Sequence, residues 1–270
     1  MNIPIDVNDP DLIFHYTPCK KALEKILPTK KLRFSYFKNT DDPREYKDQW
    51  YGFINWPITK LDVNEIHKNL NIVRNQFKLA CFCTNNTDDS YKGMGYAKSR
   101  MWSQYANHHE GICMAFSTKI LEESVKDIMG NAHGVYHDKV NYVEKIQFGN
   151  ETEINGNELL KQLESQGLKE FAINHMMNYY KFFFLTKVID YHDESEYRIV
   201  VYDPNNKLDY IDISNSIRAI IIGDRVPKDK NQTIKDFCKQ LNVPYYKVLW
   251  ENGNPKLTDR IRYYHDNPIP

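Results

Sequence analysis

The sequence predicts an α+β fold of mixed, largely antiparallel sheets with flanking helices. Short apolar runs typical of strands and longer amphipathic stretches typical of helices follow one another without regular alternation. A doubly wound parallel sheet would instead alternate strand and helix. No internal repeat and no Gly/Ser-rich linker interrupts the 270 residues. We therefore expect a single domain over residues 1–270, with a helical insertion around 150–190.

Hydrophobic patterning and turn residues give the order of the elements. Apolar and aromatic runs predict the strands, which are 12–16, 32–36, 78–84, 112–116, 136–142, 197–202, 210–213, 217–222 and 245–249. Helical periodicity predicts the helices, which are 18–27, 63–77, 101–106, 118–125, 158–191 with a break near Gly167, and 230–241. Thr17 and Thr118 are suited to cap the helices that follow them. Pro43 biases Asp42 away from helical backbone, so we expect a loop at 39–43.

The overall charge disfavours partners that bind through a global electrostatic field. Lys and Arg together number 36, as do Asp and Glu, so the formal net charge is zero. Contact with nucleic acid or an anionic membrane would have to come from a local patch. Glycine is scarce, at 11 residues, which argues against a glycine-rich nucleotide loop.

The cysteines and the N-terminus predict a cytoplasmic protein. The number of cysteines is odd, five, and most lie in apolar runs, as expected for reduced thiols. Cys81 and Cys83 alternate with apolar residues in a strand-like run, so we expect no metal there. The first residues have neither the basic nor the apolar region of a signal peptide. The apolar run 182–185 is too short to span a bilayer, so we expect no membrane insertion.

The run Glu194-Ser195-Glu196-Tyr197-Arg198 leads directly into an apolar strand. Because alternate residues of a strand share a face, Glu194, Glu196 and Arg198 are expected to point the same way. A strand that enters a buried sheet with charges on one face must solvate, pair or use them. The run therefore predicts either a ladder of ion pairs or part of a site.

Three further segments place polar groups where predicted elements end. His15 follows an apolar strand residue, and a single histidine there is often structural. Ser35 and Tyr36 precede an acidic turn with Glu45 beyond it, and the alternative interpretation is a helix cap and turn. The segment 101–106 is followed by two histidines and a glutamate, and the alternative is a packed amphipathic helix.

Several motifs occur in a recognisable order, namely His15-Tyr16-Thr17, Leu32-Arg33-Phe34-Ser35, Asp42-Pro43-x-Glu45, Cys81-Phe82-Cys83, Met101-Trp102-Ser103-Gln104-Tyr105-Ala106 with the strand 112–116, and Glu194-Ser195-Glu196-Tyr197-Arg198. Together they resemble a bacterial family known as DUF2971, a domain of unknown function, over most of the chain. The family usually has Asn where this chain has Asp41, and His where it has Gln104. Because position 104 carries glutamine and not histidine, a role of this position as an acid or base is weakened.

The opening of that family is similar to ADP-ribosyltransferases, including toxin types that modify nucleic acid. The resemblance implies an ADP-ribosyltransferase-like core, NAD as the substrate and no metal. The site residues that it implies are Glu196, Glu194 and His15 for catalysis, and His15, Tyr16, Thr17, Ser35, Tyr36 and Arg198 for NAD binding. One residue of register decides whether Ser35 or Tyr36 faces the site.

The resemblance also implies a role for each group. Cleavage of the nicotinamide glycosidic bond builds positive charge on the ribose, which the Glu196 carboxylate would stabilise. Glu194 would orient or deprotonate the acceptor, and Arg198 would pair with Glu196 or contact the pyrophosphate. His15 would hold a ribose hydroxyl and Tyr36 would stack on nicotinamide.

The first hypothesis is therefore NAD-dependent ADP-ribosyl transfer or NAD cleavage by a bacterial toxin or phage-defence effector. A nucleic acid or protein acceptor and an inhibitory partner protein both fit this interpretation. An alternative is a nuclease or hydrolase that holds a divalent cation with carboxylates, which would be Asp41, Asp42, Glu45, Glu194 and Glu196. Another is a non-catalytic module that senses a nucleotide.

Overall fold

The computed structural model of the chain describes residues 6–40, 42–55, 62–86, 93–130, 134–147 and 152–258. Within these ranges the chain forms an α+β fold whose strand pairs are mostly antiparallel. The predicted α+β class is therefore confirmed, and the ADP-ribosyltransferase-like core stays a prediction. Whether the whole chain is a single domain stays a prediction.

The described residues form fifteen strands and nine α-helices. The strands are β1 (Leu12–Thr17), β2 (Lys31–Arg33), β3 (Ser35–Tyr36), β4 (Phe53–Ile54), β5 (Phe77–Thr84), β6 (Ile112–Ser117), β7 (Val135–Lys139), β8 (Asn141–Val143), β9 (Ile154–Asn155), β10 (Thr186–Val188), β11 (Glu196–Tyr202), β12 (Tyr210–Asp212), β13 (Ile217–Ile222), β14 (Tyr245–Glu251) and β15 (Asn254–Thr258). The α-helices are α1 (Cys19–Lys21), α2 (Leu27–Thr29), α3 (Pro43–Tyr46), α4 (Val63–Arg74), α5 (Ser99–Gln104), α6 (Thr118–Met129), α7 (Gly156–Asn178), α8 (Tyr180–Phe184) and α9 (Asn231–Leu241). A π-helical segment, Ala22–Ile26, joins α1 to α2, and 3-10 turns lie at Phe37–Asn39, Ile189–Glu194 and Lys228–Lys230.

Nine of the described strands form one sheet. Its order is β15-β14-β13-β6-β1-β5-β11-β7, and β3 also pairs with β5. Within this sheet β13 and β14 are parallel, and the other recorded pairs are antiparallel. β1, β5 and β11 therefore lie side by side at the centre, which brings the N-terminal motifs next to the Glu196 strand.

Polar side chains fix where several helices begin. The Asp42 carboxylate accepts a hydrogen bond from the backbone N–H of Arg44, so Asp42 caps α3 while Pro43 occupies its first turn. Asp62 and Asn155 cap α4 and α7 in the same way. The acidic Asp-Pro turn at 42–43 is therefore the start of a short helix that carries Glu45 into the core.

The long helix predicted at 158–191 is shorter than expected and is broken where predicted. Gly167 has φ of 80° and interrupts α7, a conformation that favours glycine. The chain then leaves helical geometry, since β10 pairs in parallel with β8, and the 3-10 turn Ile189–Glu194 follows. The helical prediction beyond Phe184 is wrong because tertiary strand pairing overrides local propensity.

The predicted strand 32–36 is divided in two. β2 pairs with β12, whereas β3 pairs with β5 in the large sheet. Phe34 lies between them and donates its N–H to the carbonyl of Asp209. The chain changes sheets at this residue.

Three apolar clusters cover the two faces of the sheet. One face carries a cluster that includes Phe82 and Ile199. The other face carries two clusters, one containing Phe77 and Val200 and one containing Phe14 and Trp102. Strand alternation puts Glu196 and Arg198 on this second face, between its two apolar clusters. Their charges thus lie at a break in the core.

The apolar run 182–185 lies at the end of α8 and packs into the core through Phe183 and Phe184. The Phe184 ring stacks on Phe77 with 4.2 Å between the ring centroids. Among the described residues, no helix combines the length and apolar character needed to cross a membrane.

The backbone at Gly223 approaches the carbonyl of His109 so closely that a Cβ there would lie 2.0 Å from that oxygen. We expect Gly223→Ala to lower the free energy of unfolding by about 1–3 kcal/mol, because the backbone on both sides would have to shift. Urea denaturation measures this loss. Gly52→Ala is the matched control, since its Cβ would meet the Glu153 side chain at 3.2 Å. Equal stability of the two variants would contradict the prediction.

Candidate active site

The large sheet splits between β1 and β5. The two strands pair at Ile13 with Thr84 and at Phe14 with Cys83, and β3 pairs further along β5, at Leu79 and Lys78. Between these two contacts, the edge of β5 at 80–82 pairs with no other described strand on this side. A gap in the sheet is left there.

A cavity of about 680 Å³ occupies this gap, a volume within the usual range of small-molecule sites. Strands β1, β2, β3, β5 and β11 contribute to its walls, together with the helical segment after β1. Of the residues predicted from the sequence, those that line it are His15, Tyr16, Ser35, Glu194, Glu196 and Arg198. The cavity is the candidate active site.

Glu196 and Arg198 form a bidentate pair at the inner wall. Arg198 donates from Nε to Glu196 Oε1 at 2.8 Å and from Nη2 to Glu196 Oε2 at 2.9 Å. Its Nη2 also lies 2.6 Å from Glu45 Oε1, and its Nη1 donates to the Phe184 carbonyl. All three charged side chains are buried. Arg198 is therefore shared by two carboxylates.

Lys187 extends this network to Glu194. Its ammonium lies 2.8 Å from Glu194 Oε2 and 3.4 Å from Glu196 Oε2. The Tyr105 hydroxyl donates to Glu194 Oε1 at 3.1 Å. The sequence predicted that Glu194 lies in the strand with Glu196, and this prediction is wrong. Glu194 ends the 3-10 turn, and Ser195 after it adopts left-handed backbone with φ of 42°. Its side chain still reaches the same charged network through Lys187.

The charges of the network stabilise one another. Burial opposes ionisation of Glu196, but Arg198 and Lys187 outweigh it and hold the pKa of Glu196 at about 2. Burial likewise opposes the charged form of Lys187, yet Glu196 and Glu194 raise its pKa above the ordinary value. The Glu196 carboxylate is therefore ionised at neutral pH.

His15 faces the same gap from the opposite strand. Its Nδ1 lies 3.1 Å from the Cys81 carbonyl oxygen, and burial lowers its pKa to about 4 despite that bond. The registers of β1 and β11 on β5 put Phe14, Cys83 and Glu196 on one face of the sheet, so His15 starts from the other. Both His15 and Glu196 reach the cavity because the strands separate just beyond Phe14.

Most of this charged network is encoded in one stretch of chain, which includes Tyr105, Lys187, Glu194, Glu196 and Arg198. Residues 101–199 match the family described as "Protein of unknown function (DUF2971)". No curated protein and no solved structure matches the chain. The DUF2971 match covers less than half of the chain, and it supports the resemblance noted above for that stretch. His15 and Ser35 lie outside it.

Three of the predicted NAD-binding residues do not present a polar group to the cavity. The Tyr16 hydroxyl donates to the Gly95 carbonyl at 2.6 Å, although its ring borders the cavity. Thr17 is buried and does not line it. Tyr36 turns away, since its hydroxyl bonds Asn206 and Lys78 lies 4.9 Å from its ring centroid. Ser35, rather than Tyr36, lines the cavity.

Lys187 and Tyr105 contact the charged network, but neither was among the site residues predicted from the sequence. Lys187 closely follows the apolar run 182–185. Where such a run is buried, a neighbouring lysine is buried with it, and its ammonium group needs an oppositely charged partner. That signal was present in the sequence, but the identity of the partner was not. Tyr105 belongs to the motif 101–106, in which Gln104 instead bonds Arg100 at the surface.

The carboxylates proposed for a divalent cation are already used. Asp41 lies outside the described residues. The Asp42 carboxylate caps α3, and Glu45, Glu194 and Glu196 pair with Arg198 and Lys187. In the described part of the chain, no group of three or more His, Cys, Asp or Glu side chains could hold a metal ion. The arrangement gives this alternative no structural support.

Proposed function

We propose that the chain cleaves NAD at the nicotinamide glycosidic bond and transfers ADP-ribose to an acceptor, as a bacterial toxin or phage-defence effector. The observation that carries the proposal is that Glu196, His15 and Ser35 line one cavity at the split between β1 and β5. These are three of the positions implied by the resemblance to ADP-ribosyltransferases. They come from three different strands.

The electrostatics support this chemistry. As the bond from C1′ to the nicotinamide nitrogen breaks, its electron pair leaves with nicotinamide and positive charge develops on the ribose. A carboxylate with a pKa of about 2 carries the opposite charge throughout the working pH range. A charge that the protein holds in a fixed position stabilises such a state more than mobile water does.

His15 is suited to hold the ribose. With a pKa of about 4 its ring is neutral at pH 7. Its Nδ1 faces the Cys81 carbonyl, so Nδ1 carries the proton and Nε2 is the acceptor. A ribose hydroxyl would donate to Nε2.

The contacts of Glu194 support a role for it in acting on the acceptor. Lys187 and Tyr105 hold its two oxygens, so its position beside Glu196 is fixed. When the acceptor bonds to C1′ it must lose a proton, which a second carboxylate can take. Arg198 donates hydrogen bonds to Glu196 and to the Phe184 carbonyl and forms an ion pair with Glu45. In this proposal it orients Glu196 instead of contacting pyrophosphate.

Nicotinamide release from NAD tests the proposal. We expect Glu196→Gln to reduce the rate by about 10²–10³-fold, because the variant lacks the charge that stabilises the transition state. Glu196→Asp keeps the charge and should retain more activity. Glu164→Gln, at an exposed position on α7, is the matched control.

Two results would contradict the proposal: no nicotinamide release by the wild-type chain, or release that survives Glu196→Gln in a variant with unchanged circular dichroism. A parallel incubation with nucleic acid and Mg²⁺ distinguishes the nuclease alternative. Cleavage that needs Mg²⁺ but not NAD would favour that alternative.

A further inference from the structure

The mouth of the cavity is basic, in contrast to its acidic inner wall. Four exposed cations line this mouth, which are Lys21, Lys25, Lys31 and Arg33. Glu24 lies among them. They come from the helical segment after β1 and from β2. Within the described ranges, none of the four is in an ion pair. Unpaired cations beside a cavity are available to an anionic ligand.

An exposed aromatic ring accompanies these cations. Tyr210 lines the cavity and is 54% exposed, which is high for a large aromatic side chain in a folded protein. It lies directly opposite Arg33 in the β2–β12 pair. A tyrosine ring beside an arginine gives a flat surface on which a nucleobase can stack.

The cavity therefore has opposite charge at its two ends. Carboxylates of Glu194, Glu196 and Glu45 line the inner end, where Lys187 and Arg198 form ion pairs with them. The mouth has an excess of positive charge. This polarity matches a ligand with a cationic group at one end and phosphates further along.

We propose that the mouth binds the adenosine diphosphate part of the dinucleotide, with Lys31 and Arg33 on the diphosphate and Tyr210 stacked on adenine. The inference rests on the proposed function and deepens it, because it assigns the orientation of NAD in the cavity. Nicotinamide lies at Glu196 and adenine lies at the mouth. Base stacking and charge-assisted hydrogen bonds to phosphate supply the affinity.

Binding of ADP by the full chain tests this assignment without any turnover. In calorimetric titration, ADP should bind most tightly, AMP less tightly and adenosine least tightly. Added salt should weaken the binding of ADP. We expect Tyr210→Ala to weaken ADP binding by about tenfold. We expect the double variant Lys31→Glu/Arg33→Glu to weaken it by at least about tenfold, since it replaces attraction by repulsion.

The controls make the same changes away from the cavity. Tyr46→Ala removes another exposed tyrosine, and Lys161→Glu/Lys239→Glu alters net charge by the same amount at exposed positions of α7 and α9. Both controls should bind ADP like the wild type. Because these substitutions are at exposed positions, urea denaturation should show each variant to be folded.

Three results would overturn the assignment: no ADP binding by the wild-type chain, equal affinity in the mouth variants and their controls, or binding of a single-stranded oligonucleotide at this mouth in place of ADP. The proposed function fails separately, through absent or Glu196-independent nicotinamide release. ADP binding at the mouth in a chain that does not cleave NAD would therefore retain the subsite and reject the reaction.

Discussion

Arg198→Met is expected to lower the free energy of unfolding by about 3–5 kcal/mol at pH 7, a large fraction of the total stability of a typical domain. Arg198 is 1% exposed and pairs with both Glu196 and Glu45. Methionine fills similar space but removes the ion-pair partner of Glu45 and leaves Glu196 paired with Lys187. The loss should come from the poorer compensation of these buried charges.

Urea denaturation at two pH values separates this cause from simple loss of packing. Arg198 is the strongest of the groups that lower the pKa of Glu196, so that pKa should rise in the variant. The deficit relative to wild type should then shrink as the pH falls towards 4, because a protonated carboxyl needs no cation. A deficit that is the same at both pH values would contradict the electrostatic cause.

Arg100→Met is the matched control, because Arg100 forms its hydrogen bonds at the surface. We expect it to cost less than about 1 kcal/mol. The double variant Arg198→Met/Glu45→Gln provides a second check. It removes one stranded carboxylate, so it should be more stable than the sum of the two single losses implies.

Strands with a strong local signal could be predicted closely. The strand predicted at 217–222 coincides with β13, because a mostly apolar run, interrupted by Arg218, predicts a buried strand. The strand 254–258 was missed, since β15 is mostly polar and depends on pairing with β14. Where a strand is defined by its partner, local sequence carries little of the information.

In the candidate site, too, local sequence predicted some features and contacts between distant segments determined the others. Alternation correctly placed Glu196 and Arg198 on one face, and paired charges were one of the two predicted outcomes. The partners Glu45 and Lys187 come from α3 and β10, and their approach depends on the packing of distant segments. The orientation of Ser35 and Tyr36 depends on the change of sheet at Phe34, which no single-residue pattern reveals.

Acid is expected to destabilise the fold strongly, by about 4–6 kcal/mol between pH 7 and pH 4. Burial lowers the pKa of His175 to about 4, and that of His15 is also about 4. Each has a pKa of about 6.5 when unfolded, so the unfolded chain binds more protons below that pH. Protonation of each histidine should therefore lower the free energy of unfolding by about 2–3 kcal/mol between pH 7 and pH 4.

A second window follows at lower pH. The pKa of Glu196 is depressed to about 2 in the fold, so the stability that it contributes is present above its unfolded pKa of about 4.3. That contribution is lost as the pH falls towards 2. Protonation of the two histidines and protonation of Glu196 both destabilise the fold. The free energy of unfolding should therefore decline continuously as the pH falls below 6.5.

His175→Phe isolates one part of this loss. The His175 ring lies among the rings of Phe171, Tyr179 and Phe183, and its Nε2 is buried without a hydrogen-bond partner among the described residues. Phenylalanine suits these surroundings and cannot be protonated, so the variant should lose about 2–3 kcal/mol less than wild type between pH 7 and pH 4. Urea denaturation at several pH values measures the difference. His192→Phe, at a largely exposed position, should leave the slope unchanged, and equal slopes for His175→Phe and wild type would contradict the assignment.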